Sequence, residues 1–188
     1  MNSLGWLILA IVVVAVVVGA LWAYSKRQTA AKLRNRFGSE YDRTVETQGA
    51  RNAEAELTRR EKRVEALNIR DLTRDEQDGF ADRWRQVQAR FVDDPSGAIQ
   101  DADVLVCAVM ETRGYPVGDF EQRAADLSVA HGRVIDRYRT AHELFTRDRR
   151  GEASTEDLRN AMVHYRALYE NLIGERVNVA GRSPEVNL

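Results

Sequence analysis

An uninterrupted apolar run near the amino terminus constrains this 188-residue chain more than any other feature. Residues 5–24 read GWLILAIVVVAVVVGALWAY, which is eighteen apolar side chains and two glycines without a charge. Twenty helical residues rise about 30 Å, the thickness of a bilayer's hydrocarbon core. Trp6 and Trp22 lie near the two ends of the run, where indole rings favour the membrane interfaces. The run therefore predicts a single-pass transmembrane helix, and we assign residues 1–25 to a membrane anchor.

Basic residues cluster directly after this run. Residues 26–36 contain five cations and no acid, whereas residues 1–4 carry no charged side chain. Because cations beside a membrane helix stay in the cytoplasm, we expect the amino terminus outside a bacterial inner membrane and the remaining chain in the cytoplasm. The same cations attract anionic headgroups, so the candidate membrane-surface residues are Lys26, Arg27, Lys32, Arg34 and Arg36.

A cleaved signal peptide is the alternative interpretation of the same run. Such a peptide needs a positive n-region, an apolar stretch of about 7–15 residues and small residues before the cleavage site. Val18, Gly19 and Ala20 fit a cleavage site, but the run is longer and no cation precedes it. Cleavage would leave a secreted or extracytoplasmic protein. We favour the uncleaved anchor, with the lipid bilayer as a partner.

The charge and cysteine content exclude two further classes. Lysine and arginine number 28 against 29 aspartates and glutamates, a formal net charge of −1. A nucleic-acid-binding domain usually carries an excess of cations, so we expect no nucleic-acid partner. The single cysteine, Cys107, cannot form an intrachain disulfide. Apolar neighbours surround it in the sequence and indicate a buried thiol with a raised pKa rather than a nucleophile.

Residues 26–69 predict a charged juxtamembrane helical stalk. Few large apolar side chains occur among many arginines and glutamates, a composition typical of solvated helices. Four apolar residues at four-residue steps form a possible self-association seam, as in a coiled coil, although no heptad register continues. The seam residues are Leu33, Phe37, Tyr41 and Val45.

Residues 70–174 predict an all-α domain, a bundle of four or five helices. Thr73 and Glu76 have the spacing of a capping box, and residues 104–110 are apolar without interruption, which we interpret as a central helix. Further helix ends are marked by Asp94, Gly114, Asp119 and either Ser154 or Thr155. Residues 175–188 are polar and aperiodic, so we expect a disordered tail.

Catalytic motifs are missing from the sequence. It contains no Gly-rich phosphate loop, His-Glu-x-x-His, Cys-x-x-Cys or Gly-x-Ser-x-Gly pattern. We therefore expect a protein that is not an enzyme and has no cofactor. The candidate partner or ligand surface consists of aromatic and histidine side chains on inner helix faces or in the 114–120 loop: Tyr115, Phe120, His131, Tyr138, His142 and His164.

A structural role is the main alternative for these residues. We place His131 and His142 on one helix over residues 131–149, about 16 Å apart, which is too far to share a metal ion. A metal site would need one of them together with His164 and carboxylates from a neighbouring helix. Hydrogen bonding at the edge of the core is the simpler role for all three histidines.

Three segments of the chain resemble a family of small bacterial helical proteins, described as single-pass or secreted, for which no activity is established. They are RFGSEYDR, YPVGDFEQRAADLSV and GEASTEDLRNAMVHYRALYENL. The family pattern has proline after the histidine of this region, whereas Gly132 follows His131 here. The resemblance implies one helical unit after the anchor and transfers no functional residue.

Two functions remain open from the sequence. A membrane-anchored helical adaptor or scaffold, with a protein partner or a second copy of itself, fits the anchor and the missing catalytic motifs. A membrane-tethered sensor that binds a ligand or metal between helices, near Tyr138 and the three histidines, is the alternative.

Overall fold

The structure, a computed structural model, describes residues 12–14, 16–17, 20 and 28–174. Every regular element in these ranges is a helix, and none of them is a strand, which confirms the all-α class. The helices are α1 (28–37), α2 (Ser39–Gln48), α3 (Ala50–Glu65), α4 (Arg74–Arg90), α5 (Pro95–Arg113), α6 (Phe120–His131), α7 (Ile135–Asp148) and α8 (Thr155–Gly174).

Most of the predicted anchor lies outside the described residues, as do Lys26, Arg27 and the predicted tail 175–188. Within the described ranges, no helix has both the length and the apolar character needed to cross a bilayer. The anchor therefore gains no support from that part of the chain. The described valines of the apolar run have side chains that are 50–65% exposed: Val12, Val13, Val14, Val16 and Val17.

The predicted starts of α4, α5, α6 and α8 are confirmed by their capping hydrogen bonds. Thr73 and Glu76 form a reciprocal capping box, in which each side chain accepts from the other residue's backbone amide. Each such bond satisfies an amide that has no partner within the helix. The remaining caps are Asp94, which accepts from Gly97, Asp119, which accepts from Gln122, and Ser154, which accepts from Asp157.

Gly114 ends α5 for two independent reasons. Its φ of 95° lies in the left-handed region that favours glycine. A Cβ atom at this position would also lie 2.7 Å from the carbonyl oxygen of Asn68. The loop before α4 therefore packs directly on the end of α5, which only a residue without a side chain permits.

Helix α5 is the centre of the core, as the apolar stretch 104–110 predicted. It packs between α4 and α8 and also contacts α7. Within the stretch, Val104 is 55% exposed, and Cys107 and Ala108 are half-buried. The α5 residues that are at most 1% exposed are Ala98, Ile99, Ala102, Leu105, Val106, Val109, Met110 and Arg113.

Helices α1 to α3 differ from the solvated stalk expected for residues 26–69. Phe37 and Leu57 are fully buried, and both belong to the same core cluster as the helices of the bundle. Helix α3 packs on α6, and α2 packs on α3 and α7. The chain itself covers Leu33, Phe37 and Tyr41, so these residues of the coiled-coil seam serve internal packing.

The helix predicted over residues 131–149 begins instead at Ile135. His131 is the last residue of α6, so His131 and His142 lie on different helices. A Cβ atom at Gly132 would lie 2.8 Å from the carbonyl oxygen of Arg36, at the end of α1. The close approach of α1, which the sequence does not reveal, fixes this junction between α6 and α7.

Candidate functional site

The six residues of the predicted partner or ligand surface occupy three separate places. Tyr115 and His131 meet at one end of the bundle, where α5, α6 and α8 finish. Phe120, Tyr138 and His142 form an aromatic cluster between α6 and α7. His164 lies apart from both groups, half-buried on α8. Tertiary packing thus divides the set into distinct sites.

His131 is the centre of a buried polar chain. Its Nε2 lies 3.2 Å from the Tyr115 hydroxyl, and its Nδ1 lies 2.6 Å from Oδ1 of Asn171. An amide oxygen only accepts hydrogen bonds, so Nδ1 carries a proton. Tyr115 is 3% exposed and His131 is 4% exposed. The hydrogen-bonding role expected of this histidine is therefore confirmed, and it orients Asn171 from α8.

A cavity of about 320 Å³ adjoins this chain, and we call it the end cavity. Its walls come from the end of α1, the junction between α6 and α7, and the last turn of α8. Four polar side chains, which are exposed or half-buried, supply hydrogen-bond donors to it: Asn35, Arg36, Arg133 and Asn171.

Phe120, at the start of α6, connects the aromatic cluster. Its ring stacks on the imidazole of His142, with centroids 3.7 Å apart and planes 5° apart. The ring of Tyr138 lies 5.0 Å away at a tilt of 54°. Nδ1 of His142 is buried and has no hydrogen-bond partner among the described groups. Burial lowers the pKa of His142, and Arg123 lowers it further, while Asp103 and Glu121 raise it in part.

A second cavity, of about 510 Å³, opens beside this cluster between α2, α6 and α7. We call it the aromatic groove. Phe120 and His142 form its apolar part. The remaining lining is charged and carries both signs: Arg43, Asp119, Glu121, Arg139 and Glu143.

The histidines do not converge on a common ion. Nδ1 of His164 is buried without a hydrogen-bond partner in the described part of the chain. Burial lowers the pKa of His164, and the nearby charge of Arg137 lowers it further. Within residues 28–174 and the few described before them, no group of three or more His, Cys, Asp or Glu side chains is placed to hold a metal ion.

Sequence reasoning missed a polar network beside Tyr138. The Arg123 Nε donates to the Tyr138 hydroxyl over 3.0 Å, and the Tyr165 hydroxyl donates to Asp103 over 3.0 Å. Burial raises the pKa of both tyrosines, so both hydroxyls stay protonated at neutral pH. The only signal in the sequence was an aspartate directly before the apolar stretch 104–110.

Cys107 lies on the same helix as Asp103 and is half-buried. Burial raises the pKa of its thiol, and the charge of Asp103 raises it further. A thiol with a raised pKa contains little thiolate at neutral pH and is a weak nucleophile. The raised pKa agrees with the sequence prediction, whereas the thiol is half-buried rather than fully buried.

Glu40 is a second feature that the sequence did not reveal. Its carboxylate is 2% exposed and accepts from Arg60 of α3 over 2.9 Å and from Arg139 of α7 over 3.0 Å. Arg139 also pairs with Glu121 over 2.8 Å. Since the segment holds many glutamates and arginines, nothing in the sequence distinguishes this glutamate from its exposed neighbours.

The described members of the predicted membrane-surface cluster differ in their partners. Lys32 is exposed. Arg34 is also exposed and pairs with Asp42 over 2.8 Å. Arg36 is half-buried, with Nη1 3.1 Å from Glu61 and Nε donating to the carbonyl of Val129. Arg36 therefore connects α1 to α3 and α6 as well as facing the end cavity.

No family model, curated protein or solved structure matches this chain. The resemblance noted from the three sequence segments stays a prediction.

Proposed function

We propose that this protein is a membrane-anchored helical adaptor, not an enzyme, with its bundle on the cytoplasmic face of a bacterial inner membrane. In this proposal the apolar run 5–24 is the membrane anchor. Valines of that run with half or more of their surface exposed need an apolar surrounding, which lipid supplies. The basic residues after the run favour the cytoplasmic orientation.

The observation that carries the proposal is the packing of α1. Phe37 is fully buried and Leu33 is 3% exposed, so the helix that follows the apolar run is part of the core. The Arg36 pair with Glu61 adds a polar contact to α3. A domain whose first helix begins four residues after a membrane segment is held close to the bilayer, which raises the local concentration of whatever it binds.

The aromatic groove is the partner surface that we favour. It combines a half-exposed aromatic stack with charges of both signs, a composition typical of the centre and rim of a protein interface. Arg139 is held by Glu40 and Glu121, so one wall of the groove is ordered before a partner binds. Preorganisation of this kind lowers the entropic cost of association.

A ligand-binding sensor on the membrane is the second candidate, and the end cavity is the observation that favours it. This cavity is lined by donors from three helices and adjoins a buried hydrogen-bonded histidine. The ligand chemistry that it fits is developed in the next subsection.

The anchor is tested by fusing a reporter that is active only in the cytoplasm after Leu188. The expected result is an active reporter that sediments with membranes and resists extraction at high salt. The control is the same fusion with Val13 and Val16 replaced by arginine, since charge in a hydrocarbon segment opposes insertion. A wild-type fusion that is inactive, or that is released from membranes by salt, contradicts the proposal.

The partner surface is tested by a photo-crosslinking amino acid at Glu143, in the groove, with Glu170 on α8 as the matched exposed control. We expect one discrete crosslinked species from position 143, to another protein or to a second copy, that the Phe120→Ala substitution removes. Equal crosslinking from both positions would contradict a partner surface at the groove.

A further inference from the structure

Three cavities among the described residues differ in the charge of their linings. A cavity between α4 and α5 is lined by Arg83, Arg90 and the carboxylate of Asp101. The aromatic groove has three carboxylates. Among the described residues, the end cavity has two arginines and two asparagines and no carboxylate in its lining. Arg36 is paired with Glu61, so the excess consists of hydrogen-bond donors and the charge of Arg133, and it favours an anionic ligand.

Two of these donors are held in place by their own protein contacts. The Nε of Arg36 donates to the Val129 carbonyl, and its Nη1 forms an ion pair with Glu61. These two contacts fix the plane of the guanidinium beside the cavity. The Oδ1 of Asn171 accepts a hydrogen bond from His131, so the Nδ2 group of the same amide can donate to a ligand. Side chains that are already ordered lose little entropy when a ligand binds.

Arg133 is the exposed counterpart to these held donors. It is exposed at the junction between α6 and α7, and no acidic side chain of the described residues forms an ion pair with it. Its charge is therefore not neutralised locally. Because arginine presents paired donors in a plane, it matches the oxygens of a phosphate group.

Helix ends at this site carry carbonyl groups that would repel an anion unless they were satisfied. Three of these carbonyls already accept hydrogen bonds inside the protein. The Arg34 carbonyl accepts from Gly38, the Val129 carbonyl from Arg36 and the His131 carbonyl from Val134. The side-chain donors thus supply positive charge at a place where three of the helix-end carbonyls are already satisfied.

We propose that the end cavity binds a phosphate-bearing anion through Arg36, Arg133, Asn35 and Asn171. The phosphate comes from an anionic lipid headgroup or from a soluble phosphate. The lipid source rests on the proposed membrane anchor, because only twelve positions separate Tyr24, at the end of the apolar run, from Arg36. The soluble source needs no membrane.

The test measures ligand binding to the full chain purified in a neutral detergent. One arm titrates inorganic phosphate at constant ionic strength, with chloride as the blank. The second arm titrates dioctanoyl phosphatidylglycerol, with dioctanoyl phosphatidylcholine as its zwitterionic match. In both arms, calorimetry measures the Kd, and thermal unfolding measures the midpoint temperature. A ligand that binds the folded state raises this midpoint.

Two substitutions probe the cavity, and each has a matched control outside its lining. Arg133→Ala removes a cavity cation, whereas Arg137→Ala removes an exposed arginine one helical turn away. Asn35→Asp places a carboxylate in the cavity, whereas Asn160→Asp adds the same charge on the exposed side of α8. We expect each cavity substitution to weaken the Kd about tenfold or more, the effect of one charge-assisted hydrogen bond, and each control to leave it within about twofold.

Binding in the phosphatidylglycerol arm alone assigns the site to a lipid headgroup, and binding of inorganic phosphate assigns it to phosphate from either source. No binding in both arms overturns the proposal. Binding that the cavity substitutions and their controls weaken equally also overturns it, because the anion is then attracted only by net charge. A protein that binds phosphate but fails the membrane reporter retains the site and loses the proposed anchor.

Discussion

Leu105 on α5 and Glu40 on α2 are residues that are each 1% exposed, yet they hold different parts of the molecule together by different interactions. Leu105 lies among apolar neighbours in the centre of α4 to α8. Glu40 lies between the guanidinium groups of Arg60 and Arg139 and joins α2 to α3 and α7. The later helices are held mainly by apolar burial, and the first helices add buried ion pairs at their contact with the bundle.

A second ion pair repeats this arrangement at the contact of α3 and α6. Asp126 is fully buried and pairs with Arg63 over 2.7 Å, and Gln122 donates to both of its oxygens. Apolar burial is nondirectional and tolerates sliding, whereas a buried charge demands its partner at one position. From this comparison we expect the buried charges to fix the register of the front helices, which makes those helices sensitive to the loss of a single charged side chain.

The largest expected effect comes from Glu40→Gln. The amide keeps the shape of the side chain but removes the charge that compensates Arg60 and Arg139, so we expect the free energy of unfolding to fall by about 4 kcal/mol. Denaturant unfolding of the full chain in detergent measures it. Glu46→Gln, at an exposed position of the same helix, is the control and should change stability by less than about 0.5 kcal/mol.

Hydrogen exchange locates the effect of this substitution. Faster exchange in α2 and α3 with unchanged protection in α5 is the expected pattern, because the ion pairs hold the front helices and not the central one. Equal loss of protection in α5 would show that the two regions unfold as one unit and would break the comparison.

The next effect in size is that of Leu105→Ala, which removes a buried side chain from the bundle. A cavity in a closely packed core costs about 3 kcal/mol, because neighbouring side chains relax only partly into the space. Val104→Ala, the adjacent residue with 55% exposure, is the control and should cost well under about 1 kcal/mol. Similar losses for the two variants would contradict the burial that the structure gives α5.

The smallest effect is a dependence of stability on pH. Burial lowers the pKa of His142 and His164 in the folded protein, so the unfolded chain takes up protons first as the pH falls below about 6.5. The free energy of unfolding should therefore be highest above that pH and decrease below it. Unfolding measured at pH 7.5 and at pH 5.5 gives the size of the decrease.

Substituting each histidine separates the contributions of His142 and His164 to the loss of stability at low pH. His142 borders the groove beside α2, whereas His164 lies on α8, so His142→Gln and His164→Gln should each remove a part of it. A double variant whose stability still falls as steeply between these pH values would show that other groups titrate there.

The residues that could be predicted from sequence are those whose structure is decided by near neighbours. Helix caps were predicted correctly from the sequence, because each cap acts within about four residues. Examples are the capping box of Thr73 and Glu76, the cap at Asp119 and the left-handed glycine Gly114. The central position of α5 followed from its unbroken apolar stretch. The candidate site was predicted in part: Tyr115 and His131 do meet, and so do Phe120, Tyr138 and His142, but as two separate sites.

Contacts between distant parts of the chain could not be predicted in this way. Glu40 and Arg139 are 99 positions apart, and Arg113 donates to the Leu172 carbonyl 59 positions later. A single sequence does not show which of its many glutamates or arginines becomes buried. The residues next to each of them in the sequence are similar, and the partners that bury them come from distant helices. The helix end at His131 was missed for the same reason, because the approach of α1 to Gly132 decides it.

The sequence by itself determined the all-α class, the starts of α4, α5, α6 and α8, and the apolar run at the front, because hydrophobic periodicity and capping are local properties of the chain. The tertiary structure alone decided that residues 28–69 pack on the bundle, that Glu40 is buried between two arginines, and that donors from three helices surround the end cavity. These features depend on which distant surfaces meet, and that outcome is set by the packing of the whole core.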